Sequence, residues 1–144
     1  MSRQDYKIVW LIRRLFRALA EVSEAKLSEY GISVADRAVM EFLYPEKSLA
    51  VPAIAQRYQV SRQHVQVTVN ELLTRRLVRS EANPRHKRSP LISLTSTGRE
   101  LFSQIISDDH RAVGELFDGT PRKDRQVTIR TLENLLERIT EVTS

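Results

Sequence analysis

Cysteine is absent from the chain. That excludes disulfides, thiolate metal sites and any cysteine-based redox switch, and it fits a cytoplasmic protein. Glycine and proline are scarce, at four and five residues, which leaves room for long helices and argues against disordered tails. Long hydrophobic runs are missing too. The early apolar run Ile8–Ile12 is ended by Arg13 and Arg14. It is too short to span a membrane and lacks a signal-peptide core and cleavage site, so no membrane partner is expected and the amino terminus reads as mature structure. Enzyme motifs are also lacking: there is no Gly-x-Ser-x-Gly, no glycine-rich phosphate loop and no His-Glu-x-x-His. The three histidines, His64, His86 and His110, are scattered. The chain is therefore read as a non-enzyme with no catalytic residue, metal centre or cofactor.

What is present suits one domain with a real hydrophobic core. The 144 residues are 41% hydrophobic and 28% charged, ordinary for a globular protein. The formal net charge is +5, and all of the excess lies in one place. Residues 61–90 hold Arg62, Arg75, Arg76, Arg79, Arg85, Lys87 and Arg88 against Glu71 and Glu81, while the rest of the chain balances to zero. Two readings of this segment stand open on charge alone: a phosphate-binding surface, or a solvated basic face.

Hydrophobic periodicity places the elements. Ile8, Leu11, Ile12, Leu15, Phe16, Leu19, Val22 and Leu27 recur at helical spacing and predict a helix from about Gln4 to Tyr30, roughly 40 Å long. Such length hints at use between subunits. Ser33, with Asp36 three residues on, has the form of a capping box opening a second helix that Pro45 ends. Ser48–Val51 reads as a short extended link. Pro52 suits the start of a third helix to Tyr58, and Ser61 caps a fourth that runs to about Arg75. A short helix, a tight turn and a capped second helix form the helix-turn-helix pattern. Leu77–Ala82 and Pro90–Thr95 have strand character around a basic tip, a β-hairpin wing. In the second strand Leu91, Ser93 and Thr95 should alternate with Ile92 and Leu94. A fifth helix begins near Ser96, the turn 118–121 follows, and a sixth runs from Pro121 to about Val142. The expected fold class is mainly α with a small β-hairpin wing. A winged helix-turn-helix lobe (33–95) is carried on a helical frame (1–32 and 96–144), together one domain over 1–144.

Three stretches carry a resemblance to a known family: Val51–Ser61 (VPAIAQRYQVS), Val69–Arg79 (VNELLTRRLVR) and Asn83–Gly98 (NPRHKRSPLISLTSTG). In element order and in these segments the chain resembles the MarR family, the multiple-antibiotic-resistance regulators, over nearly its whole length. The basic wing followed by Leu-Thr-x-x-Gly is the most specific feature. The chain departs from the family pattern where Asn83 and His86 replace acids that brace the wing arginines. It departs again with Arg76 at a frequent glycine and Val67 at a frequent arginine.

The resemblance implies a cytoplasmic transcription regulator, a homodimer that binds double-stranded DNA at a pseudo-palindromic operator, usually as a repressor. On the recognition helix, Gln63, Gln66 and Asn70 carry amides able to pair with adenine, Arg62 can reach guanine or phosphate, and Val67 can touch a thymine methyl. Ser61 caps this helix, with His64 and Thr68 at its margin facing phosphates. On the wing, Arg85 would enter the minor groove while Lys87 and Arg88 neutralise phosphates. Phe16, Leu19, Leu132, Leu135, Leu136 and Ile139 serve dimer or core, a choice the sequence leaves open. By analogy a small aromatic or anionic effector would meet Trp10, Arg13, Arg17 and His110; the plainer reading of those residues is core packing and surface charge. The competing function is a winged-helix module that binds protein without specific DNA binding.

Overall fold

The computed structural model describes residues 2–143. Its elements in chain order are α1 (Arg3–Glu29), α2 (Val34–Leu43), β1 (Leu49–Ala50), α3 (Val51–Tyr58), α4 (Arg62–Thr74), β2 (Val78–Glu81), β3 (Leu91–Leu94), α5 (Ser96–Leu116) and α6 (Arg122–Thr143). The fold is mainly helical with a three-stranded antiparallel sheet in the order β1-β3-β2. The chain divides into two compact units, one ending at Ile106 and the other beginning at Ser107. Among the described residues no helix is long and apolar enough to cross a membrane.

Local chemistry explains most helix ends. α1 and α2 each open on a full capping box. The Ser2 hydroxyl accepts from Asp5 N–H and the Asp5 carboxylate from Ser2 N–H, and Ser33 pairs with Asp36 in the same way. Bonds from the Ser2 amide and hydroxyl hold the Asp5 carboxyl below its ordinary range. Gly31 leaves α1 at φ 69°, the left-handed region that glycine enters without a Cβ penalty. Proline sits at the second position of α3, whose first residue is Val51, one residue earlier than the sequence pattern placed it.

The core belongs to the first unit. Met40, Leu43, Ile54, Val65, Val69, Leu72 and Phe102 are wholly enclosed, joined by Leu27, Leu77, Ile92, Leu94 and Ile105. The segment read as an extended link contains β1, which pairs Leu49 with Ile92 and Ala50 with Leu91. β3 is thus the middle strand, and Ser93 is buried along with its apolar neighbours. Both faces of β3 are covered: Ser93 lies opposite Arg79 of β2, which donates from Nε to Ser93 Oγ at 3.2 Å. Pairing across the hairpin sets Val78 opposite Leu94 and Glu81 opposite Leu91.

The terminal helices contrast with this. Residues 3–22 of α1 are exposed throughout, and α6 has no buried residue. In the second unit the turn between α5 and α6 is closed by Arg125, whose Nη2 donates to the Phe117 carbonyl at 2.7 Å while its guanidinium lies 5.6 Å from the Phe117 ring centroid.

Candidate nucleic-acid interface

The reading surface is built from α3, α4 and the hairpin. α3 leaves its last turn through Gln59 at φ 58°, where Gln59 N–H donates to the Ala55 carbonyl. Val60 N–H bonds the same carbonyl at 3.2 Å. The left-handed step turns the chain sharply enough for Ser61 to cap α4, its hydroxyl accepting from His64 N–H at 3.1 Å. α4 then splits into two faces. Val65, Val69 and Leu72 enter the core; Arg62, Gln63, Gln66, Val67 and Asn70 stay exposed. Val67 is 54% exposed, an outlay of apolar surface that the fold itself does not use.

Thr68 does not lie at the margin facing outward. It is only 5% exposed, and its hydroxyl donates to the His64 carbonyl one turn back at 3.1 Å. A hydroxyl that donates within its own helix has spent the proton it would give to a phosphate. His64 remains exposed, its ring 6.4 Å from that of Tyr58. Sequence reasoning also treated Gln66 and Asn70 as separate readers. They are joined: Gln66 Nε2 donates to Asn70 Oδ1 at 2.9 Å. The i, i+4 spacing was the signal for this contact.

The wing replaces acidic bracing with an amide. Asn83 donates from Nδ2 to the Ser89 carbonyl at 2.9 Å and accepts from Arg85 N–H through Oδ1 at 3.1 Å. One side chain ties both ends of the tip, and Arg85, His86, Lys87 and Arg88 are left exposed. At the base of the wing an exposed ion pair joins Arg79 to Glu81 at 3.1 Å. Between wing and helix runs an open groove of about 310 Å³, walled by Arg62, Gln63 and Gln66 on one side and Arg88 and Pro90 on the other, with Pro52 at its end. Of the residues chosen from sequence, Arg62, Gln63, Gln66 and Arg88 are thus brought to one groove, while His64, Val67, Asn70, Arg85 and Lys87 are exposed outside its lining.

The Leu-Thr-x-x-Gly motif has a structural cause. α4 ends through Arg75 and Arg76, the latter at φ 57°. Thr95 N–H donates to the Leu77 carbonyl at 3.1 Å, its hydroxyl donates to the Arg76 carbonyl at 2.7 Å, and the same oxygen accepts from Gly98 N–H at 3.0 Å. A Cβ on Gly98 would collide with the Leu77 carbonyl. The motif is the staple between the exit of the recognition helix and the start of α5.

The other candidates lie elsewhere. Trp10, Arg13 and Arg17 are exposed on α1, and the Arg14 guanidinium sits 4.9 Å over the Trp10 ring; His110 lies on α5 beyond Ser107, in the second unit. Phe16, Leu19, Leu132, Leu136 and Ile139 are exposed and Leu135 half-buried, so none of the six is in the chain's own core. Among the described residues no group of three or more His, Asp or Glu is placed to hold a metal ion.

Comparison with known proteins agrees with this architecture. The family model described as "MarR family" matches residues 30–89. An uncharacterized protein of Mycobacterium tuberculosis is 40% identical over 91 residues, covering 63% of this chain and 64% of that protein, so the match spans less than two thirds of the relative's length. The crystal structure of a MarR family transcription regulator superposes with a TM-score of 0.90 at 22% identity, covering 97% of this chain and 93% of that one. FabT of Streptococcus pneumoniae, solved in complex with DNA, superposes with a TM-score of 0.83 at 16% identity over 95% of this chain and 98% of its own.

Proposed function

We propose that this chain, whose residues 30–89 match the MarR family model, is a cytoplasmic homodimeric transcription regulator that binds a pseudo-palindromic DNA operator. The observation that carries this reading is the groove uniting Arg62, Gln63 and Gln66 of α4 with Arg88 of the wing, in the segment that holds all of the chain's excess positive charge. α4 enters the major groove with Gln63, Gln66 and Val67 toward base edges and Arg62 toward guanine or phosphate. His64 lies beside the phosphates. Arg85 reaches the adjacent minor groove, and Lys87 and Arg88 neutralise backbone charge, so affinity falls steeply with salt.

The dimer reading is supported by the terminal helices. Ile8, Leu11, Leu15 and Leu19 on α1, and Ile129, Leu132, Leu136 and Ile139 on α6, are exposed in the single chain. Each of the two helices thus carries an apolar stripe of its own, the kind of exposed apolar surface that marks an interaction site, and burying the exposed part of each such side chain contributes at most about 1.5–3 kcal/mol. We place the frame at 1–32 and 96–144, and the reading lobe at 33–95. A dimer seated on a promoter represses by occupying it. A small aromatic or anionic effector would meet Trp10, Arg13 and Arg17 on α1, where the Arg14 guanidinium lies 4.9 Å over the Trp10 ring.

Selection from random duplexes at two salt concentrations tests the function. Recovery of a two-fold-related site, with affinity lost on Arg85→Ala and Gln66→Ala, is the expected result. Weak, sequence-blind binding that vanishes near physiological salt would instead make the fold a protein-docking module.

A further inference from the structure

The bond between Gln66 and Asn70 gives α4 a property that neither residue has alone, and resting on the DNA-reading role above, we propose that Asn70 is a positioning residue that sets the base preference of Gln66. A free glutamine amide can present its carbonyl or its NH2 group toward a given base atom by a half turn about its last torsion. Here that freedom is removed. Nε2 of Gln66 donates to Oδ1 of Asn70 at 2.9 Å, and turning Gln66 alone would set two carbonyl oxygens against each other. The two amides can reverse only together.

In the observed arrangement Gln66 keeps its Oε1 and one N–H unspent. That is an acceptor beside a donor, the complement of the N6 donor and N7 acceptor that adenine shows in the major groove. Asn70 has committed its carbonyl to its neighbour. It sits one turn farther along α4, while Gln66 lines the groove with Arg62, Gln63 and Arg88. The division of labour is therefore unequal: Gln66 reads and Asn70 holds. Holding a rotamer-rich side chain before binding removes an ordering cost that would otherwise be met at the interface.

The test is the base preference at the operator position whose selectivity disappears in Gln66→Ala. Asn70→Ala frees the amide, and its discrimination there should drop about five-fold. Alanine is a better helix former than asparagine, so the helix survives the change. Asn70→Asp keeps the acceptor, cannot reverse the pair, and should retain the preference within about two-fold while binding every sequence more weakly through its charge. In a Gln66→Ala background Asn70→Ala should add nothing at that position. A wild-type protein that selects a sequence, with an Asn70→Ala protein that selects it equally well, would overturn this inference alone. A wild-type protein with no preference at any position would overturn the regulator reading and this inference together.

Discussion

α4 and α6 carry apolar residues at the same helical spacing and use them in opposite ways. α4 commits Val65, Val69 and Leu72 to the core and keeps a polar face outward. α6 offers Leu132, Leu135, Leu136 and Ile139 and buries none of them within the chain. An amphipathic pattern states that a face wants covering; it does not state by what. The segment 33–95 closes a core, with two caps and a sheet, together with Leu27 and Ile32 before it and Phe102 and Ile105 after it. The terminal helices leave their apolar stripes exposed within the chain, the surface that the proposed dimer would cover.

The largest effect should come from the staple. Gly98→Ala drives a methyl into the Leu77 carbonyl and should cost about 3 kcal/mol, read as a lowered urea midpoint; a variant as stable as its parent would contradict the close approach. Next comes the other side of the comparison. Leu136→Glu with Ile139→Glu places two charges on an apolar face and should raise the dimer dissociation constant by about 100-fold, equivalent to about 2.7 kcal/mol. Sedimentation of both proteins decides it, and a parent that is monomeric at micromolar concentration would break the comparison. Asn83→Ala releases both ends of the wing tip and should weaken operator binding about ten-fold with an unchanged far-UV spectrum. The smallest change should be Arg76→Gly, which relieves a left-handed backbone at a non-glycine residue and should add about 1 kcal/mol of stability, checked by urea melts.

Much of this was legible from residue order. The Ser33–Asp36 box, the Ser61 cap and the hairpin are local, and local signals survive in a single sequence. What escaped depends on contacts between segments or on the choice among local bonds. β1 is two residues long and shows no period; only its pairing with β3 makes it a strand. Thr68 looked marginal on its helix, and only the packing around α4, which leaves it 5% exposed, puts it inside. Asn83 stood out as a departure from the family pattern, yet its partner at Ser89 is visible only once the loop is folded. The glycine of Leu-Thr-x-x-Gly was recognisable as a pattern, but its cause lies 21 residues away at Leu77.

The staple at Thr95 has a mechanical consequence. Its hydroxyl holds the Arg76 carbonyl and the Gly98 amide at once, so no slack loop separates the exit of α4 from the first turn of α5. Thr95 is therefore a shared anchor: losing its hydroxyl would free the exit of α4 and the first turn of α5 together.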